Sequence, residues 1–385
     1  MDSARGPGRH AITLGAVLAF MLLAWCPSAF ALNPSLDVSQ YAHTSWKIRD
    51  GFPKGQITSI AQTPDGYLWL GTEFGLVRFD GIKNVQWQPP PDRQLPSSLI
   101  MSLLTTRDGT LWVGTSKGLA SWKYGKLTEY PELAGQNIFR LIEDREGVVW
   151  VGGTAVPTGK LCSIKNGSVR CYGEDGSLGR GAFNLYEDSK GNFWVAVENG
   201  LWHWGPGPPK FYSLPATNGF IETFSEGDDG TLLIGTRGGL QRFVDGKTEA
   251  YPLPGTVGQF RLSWLLHDRD GGLWIGTMDR GLVHVHRGRT DVFTPSDGLS
   301  GENVYTLFED REGNIWVATA NGIDRFRDFA VATFNVKQGL SNAVVSSVLA
   351  ARDGSVWLST LGGLNRLSSE QIKIFGNGKL NGLNP

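Results

Sequence analysis

Residues 67–76 read YLWLGTEFGL, and residues 110–119 read TLWVGTSKGL. A chain that repeats one phrase is building one supersecondary unit many times. Aligned on its tryptophan, the phrase recurs at Trp69, Trp112, Trp150, Trp194, Trp274, Trp316 and Trp357. Between Trp194 and Trp274 the stretch TLLIGTRGGL puts Leu233 in the tryptophan's place, which makes eight copies at a mean period of about 41 residues.

Every copy has the same internal order. An apolar run such as ITSIAQ leads into a turn, as at Asp65-Gly66, Asp108-Gly109 or Asp353-Gly354. A run such as YLWLGT follows, then a glycine turn into GLVRF. A further turn, such as Asp80-Gly81 or Asp245-Gly246, precedes a last alternating run such as TEAYPL. This is four short strands joined by hairpin turns. Glycine, at 52 of 385 residues, is nearly twice its usual share of ~7% and supplies those turns. Four antiparallel strands at this period describe a β-propeller blade. One such sheet cannot bury both of its faces, whereas sheets stacked radially bury each against the next and hide most strand edges. The expected fold is therefore all-β, a β-propeller with the repeated tryptophan wedged between neighbouring blades. A β-solenoid fits less well, because its repeats run shorter and carry fewer strands.

Residues 1–31 read differently. Arg5 and Arg9 are followed by the uncharged apolar run Ile12–Trp25 and by Ala29-Phe30-Ala31, the layout of a secretory signal peptide with its cleavage signal. An exported chain folds where disulfides persist. Cys162 and Cys171 flank CSIKNGSVRC, and a type I′ turn at Asn166-Gly167 sets the two cysteines opposite each other. The expectation is a Cys162–Cys171 disulfide across a hairpin. A formal net charge of −1 gives no polyanion-binding surface, so nucleic acid is excluded as a partner.

The repeat DGYLWLGTEFGLVRFDG and the leading segment SQYAHTSWKIRDGFPKGQITSIAQTPDG resemble the two-component regulator propeller repeat. The resemblance covers residues 38–376, and copies 3, 4 and 5 depart most from the pattern (VVWVGGTAVPTGKL, WVAVENG and the missing tryptophan). It implies the periplasmic sensor portion of a bacterial histidine kinase or diguanylate cyclase, with seven-bladed rings, a transmembrane helix and cytoplasmic output domains. The implied organisation is a signal peptide at 1–31, a seven-bladed propeller at 32–336, and the first blade of a second propeller at 337–385. An eight-bladed ring is the alternative. In the seven-bladed reading, Tyr41–Ile48 supplies the outer strand of blade 7, and Ala330–Val336 is a matching outer strand for a second ring. The resemblance further implies a protein tethered to the inner membrane, a second propeller and output module as partners, homodimerisation through the full-length protein, and no cofactor.

Function in a propeller resides at one mouth of the ring, on the turns between second and third strands. Those turns vary here while the repeat core does not. They offer Glu73, Lys117, Glu198, Arg237, Asp279, Arg280 and Asn321 as rim residues. The third residue of each innermost strand is read as channel-facing: Ser59, Ser102, Arg140, Asn184, Thr223, Trp264, Thr306 and Ser347. Of these, Arg140, Asn184 and Trp264 are candidate ligand contacts. An arginine fork and an indole face suit a carbohydrate, by paired hydrogen bonds and by stacking. Trp46, Trp87, Trp122, Trp202 and Trp204 also lie outside the repeat position, and those in step with Phe79, Phe243 and Phe326 read as inter-blade core.

Catalytic signatures are absent from the sequence: no G-x-S-x-G, no H-E-x-x-H, no P-loop. The D-x-x-G-x-x-W pattern (EDREGVVW, EDSKGNFW, EDREGNIW) reads as a structural hairpin. His284 and His286 lie two apart on one strand with no third ligand evident, so no metal is expected. The functional expectation is a non-catalytic, periplasmic, ligand-sensing propeller that binds a carbohydrate or another small ligand. The alternatives are an exported glycan hydrolase or lyase and a protein-binding scaffold.

Overall fold

The computed structural model describes residues 32, 36–204, 208–214, 220–255, 260–328, 334–368 and 371–375. The expected leader at 1–31 lies outside the described residues, as does most of the strand expected at Ala330–Val336. Val336 itself begins a 3-10 turn, Val336–Gln338, so no strand runs through it.

Eight four-stranded antiparallel sheets make up the described residues. Sheets 1 to 6 span 57–86, 100–130, 137–172, 184–213, 221–250 and 262–293, sheet 7 spans 304–327 and sheet 8 spans 345–375. Each runs in simple up-and-down order except sheet 7, whose outer strand Ala42–Lys47 comes from the start of the chain. Ala42 pairs with Arg327, and Trp46 pairs with Ile323. Innermost strands touch in sequence order from sheet 1 through sheet 7, and that of sheet 7 touches that of sheet 1. The return contact is reinforced by Arg311, whose backbone N–H donates to Gln62 Oε1 at 2.8 Å and whose Nη2 donates to the Thr63 carbonyl at 2.9 Å. Trp46 stacks on Trp316 and meets Phe79 of sheet 1 edge-on.

The repeated letters have three separate physical reasons. The indole N–H of each ring tryptophan needs an acceptor once buried, and it finds one six residues earlier. Trp69 and Trp112 donate to the Thr63 and Thr106 hydroxyls, and Trp150, Trp194, Trp274 and Trp316 to the Asp144, Asp188, Asp268 and Asp310 carboxylates. Asp310 Oδ1 also accepts the Asn314 N–H at 2.8 Å, so one carboxylate closes the hairpin and anchors the ring. In sheet 5 the tryptophan is Leu233 and the position six before it is Gly227, so donor and acceptor are missing together.

The glycine after the tryptophan answers a close approach. A Cβ on Gly71 would lie 2.7 Å from Ile100 of the next sheet, and one on Gly276 would lie 2.8 Å from Val304. The following threonine holds the turn. Thr72 Oγ1 accepts the Phe74 N–H at 3.1 Å and donates to the Gly75 carbonyl at 2.8 Å, and Thr115, Thr236, Thr277 and Thr319 repeat the device.

Tryptophan burial is less uniform than the repeat implies. Trp69, Trp112, Trp194, Trp274 and Trp316 are buried, whereas Trp150 and Trp357 are half-buried. Trp357 stands in sheet 8, whose innermost strand Val345–Ala350 is exposed along its length. Ser347 of that strand, read as channel-facing, is exposed with it. Trp87 meets Trp69 and Trp122 edge-on, and Trp202 and Trp204 pack with Phe193 and Tyr172, all as inter-sheet core.

The hairpin Lys160–Lys165 with Ser168–Tyr172 has the register that Asn166-Gly167 dictates, with φ of +51° and +78° at the turn. Cys162 faces Cys171 and the two sulfurs are bonded.

Candidate functional site

Seven sheets present their innermost strands to a common centre. In all but sheet 4 a β-bulge falls near the start of that strand, as at Ile138/Arg140 and Leu262/Trp264. An extra residue shifts the side-chain phase. Much of the small polar set read as channel-facing is accordingly spent between sheets. Ser102 Oγ donates to the Ile138 carbonyl at 2.7 Å, and Asn184 Nδ2 donates to the Glu222 carbonyl at 2.6 Å. Thr223 is fully buried, and its hydroxyl accepts the Leu265 N–H at 3.4 Å.

Arg140 and Trp264 behave otherwise. They come from sheets 3 and 6 and meet across the centre, the guanidinium carbon 4.7 Å from the indole centroid. Arg140 is only half-buried by its solvent contact, yet protein surrounds its head group closely, and Nε has no hydrogen-bond partner. Burial pulls the guanidinium pKa down to about 10, still far above neutrality. The arginine therefore keeps its charge with a donor unspent.

The pair lies between two cavities and lines both. One, of about 510 Å³, opens on the side of the variable turns; the other, of about 720 Å³, opens on the side of the Asp-Gly turns. The first cavity also takes in Asn184, Glu222, Arg237 and Arg261. Its wall is more aromatic than the sequence implied. Phe183 lies 6.2 Å from Phe139 and 5.5 Å from Phe220, ring centre to ring centre. Phe139 and Phe220 are 38% and 42% exposed, a large apolar exposure inside a concave site. Phe139 is the residue the bulge inserts, which is why a strict alternation missed it.

Of the ten residues nominated from sequence, the structure brings Arg140, Asn184, Arg237 and Trp264 into this one cavity. Arg237 Nε donates to Glu222 Oε1 at 2.8 Å, so its charge is already matched. Asp279 Oδ1 accepts the Arg261 N–H at 3.0 Å and sets the cavity's edge. Glu198 lies 3.6 Å from Arg180 as an ion pair. Glu73, Lys117, Arg280 and Asn321 are exposed on the rim turns, outside the cavity lining.

The second cavity holds Glu309, whose carboxyl burial pushes up to about 7, with Arg269 opposing. His284 and His286 do have a third neighbour that the sequence reading lacked: Asp291, on the adjacent strand. Among the described residues no helix is long and apolar enough to cross a membrane.

The profile of the family described as "Two component regulator propeller" matches residues 51–74, 94–117, 132–155 and 298–321. No curated protein sequence matches the chain. Among solved structures, it is similar to the extracellular domain of a protein described as a hybrid two-component system of B. thetaiotaomicron. That match has a TM-score of 0.67 at 21% identity, over 87% of this chain and 49% of the other. A surface component of the type-IX secretion system of Porphyromonas gingivalis, PorZ, gives a TM-score of 0.62 at 13% identity, over 85% of this chain and 56% of the other. Virginiamycin B lyase of Staphylococcus aureus, solved with quinupristin, gives 0.60 at 14% identity, over 75% of this chain and all of the lyase (100%). The chain spans about half the length of the two-component structures it matches. At these identities the likeness is one of fold.

Proposed function

We propose that this chain, whose repeats are two-component regulator propeller repeats, is the exported ligand-sensing part of a transmembrane signalling protein. The observation that carries the ligand site is the Arg140–Trp264 stack, a charged fork and an indole held at the floor of an aromatic-walled cavity. That combination suits a carbohydrate or glycan fragment, whose hydroxyls take the guanidinium donors and whose apolar ring face lies on aromatic carbon. Export is supported by the extracellular character of the two-component structures with this fold.

Sheet 8 fits the start of a second ring. Its Val345 and Val348 are 38% and 63% exposed, whereas Val304 and Leu307, their counterparts in sheet 7, are 0% and 4% exposed. Another sheet packed on that face would bury them as sheet 6 buries Val304 and Leu307. Ligand binding at the first ring then biases signalling to the extent that it favours one docked arrangement over another.

Titration calorimetry of the full chain against a panel of neutral and acidic oligosaccharides tests the ligand site. The expected result is saturable binding to at least one, abolished by Arg140→Ala and by Trp264→Ala. Absence of binding across the panel, or binding indifferent to both substitutions, overturns the carbohydrate assignment. A second reading, an exported lyase or hydrolase, draws on Glu309, a carboxyl that titrates near neutrality in a cavity as a general base would. Turnover of a bound glycan lost in Glu309→Gln supports that reading instead.

A further inference from the structure

The third strand of sheet 6, Leu282–His286, sends His284 and His286 to one face because they lie two residues apart. Asp291, on the outer strand Arg289–Phe293, stands directly opposite His284 in the register. One ligand atom from each of the three lies within 4.8 Å of the others, and His286 Nε2 is 2.7 Å from Asp291 Oδ2. The two imidazoles are nearly parallel, at 11° with centroids 4.6 Å apart, and Trp274 stacks on His284 at 3.9 Å.

His284 is 1% exposed, and neither of its ring nitrogens has a hydrogen-bond partner. A buried imidazole carries a donor and an acceptor, and leaving both unmet is costly enough to call for an unseen partner. Sheet 4 shows what usually happens here. His203 stacks on Trp194 in the same way, and its Nε2 pairs with Asn192 Oδ1 at 3.1 Å. Asn192 stands two residues before its tryptophan, and in sheet 6 that place is Gly272. A Cβ on Gly272 would lie only 2.6 Å from His284 Nε2. The glycine both removes the ordinary partner and opens space at the nitrogen.

A second carboxylate joins the group. Asp37, from the leading segment, hydrogen-bonds with Asp291. Arg289 is the facing cation, 3.9 Å from Asp37 Oδ2 and 4.0 Å from Asp291 Oδ1. The cluster thus holds two imidazoles and two carboxylates against one guanidinium.

We propose that His284, His286 and Asp291 bind a divalent transition metal of the zinc class, with Asp37 or a water as fourth ligand. Neutral imidazole and carboxylate are the donors such ions take. Tetrahedral zinc needs donors about 3.3 Å apart, from bond lengths near 2.0 Å, closer than the observed spacing, so the side chains must turn and draw in around the ion. Three of the four ligands ride on paired strands, which hold their positions firmly. A metal here would fasten the leading segment to sheet 6.

The test titrates the chelator-stripped full chain with Zn²⁺ and, separately, with Co²⁺. The expected result is one equivalent bound, a raised melting temperature and the visible absorption of tetrahedral Co²⁺. Asp291→Asn and His286→Gln should each weaken metal binding at least about tenfold while leaving the metal-free chain folded by circular dichroism. No uptake of either ion by the wild-type chain overturns the site, a result that needs no variant to fold. Uptake undiminished in both variants also overturns it, because the metal would then be held elsewhere.

Discussion

Arg140 and Trp264 come from strands three sheets apart, yet their side chains stack at 4.7 Å in the middle of the ring. Among the described residues no carboxylate pairs with the arginine, and burial lowers its pKa. A charge held in this way costs stability rather than adding it. Arg140→Met should therefore leave the unfolding free energy unchanged or slightly raised while abolishing ligand binding. Urea denaturation read beside calorimetry checks both halves; a large loss of stability would mean the guanidinium is structural.

The paired loss of tryptophan and acceptor in sheet 5 predicts a coupled effect. Leu233 is 1% exposed, so Leu233→Trp overpacks the site and strands an indole N–H, at a cost of about 1–3 kcal/mol. Gly227→Asp places a carboxylate where Asp188 and Asp310 serve in sheets 4 and 7. The double variant should recover part of the loss. A double-mutant cycle by chemical denaturation measures it, and strictly additive costs would contradict the anchoring role given to the turn carboxylates.

Glu309 predicts a pH dependence. Its carboxyl sits at about 7 in the fold, mainly through burial, against an ordinary value of 4.5. Between those two values the folded chain holds a proton that the unfolded chain has released, so stability falls as pH rises through that window. Glu309→Gln should flatten the slope between about pH 5 and pH 8, and denaturant midpoints at both ends of the range report it.

The Cys162–Cys171 bond closes a loop of sequence separation 9. Loop-closure entropy for so short a span gives about 2–3 kcal/mol. Cys162→Ala/Cys171→Ala should lose about that much, and thiol labelling of the unfolded, unreduced chain should find neither cysteine free.

The architecture was legible because a period near 41 residues repeats the reason for each letter: indole wedge, close-contact glycine, turn-holding threonine. The leading segment's place was legible from its strand-like pattern at Tyr41–Ile48, and Ala42–Lys47 indeed pairs with Gly322–Arg327. The site was only half legible. Arg140 and Trp264 stood out as large residues among small ones, but Phe139 was hidden by the bulge beside it. Ser102 and Asn184 looked free because nothing in a single repeat shows the carbonyl of the next sheet. Asp291 escaped notice for a similar reason: a ligand set drawn from neighbouring strands appears only once the register is known.

The pairing of Ala42–Lys47 with Gly322–Arg327 also sets a waiting time. Ala42 meets Arg327 about 285 residues after it is made. At synthesis rates of roughly 5–20 residues per second, the first strand stays unpartnered for tens of seconds. During that interval the wheel has two raw edges, each able to recruit a stranger's strand.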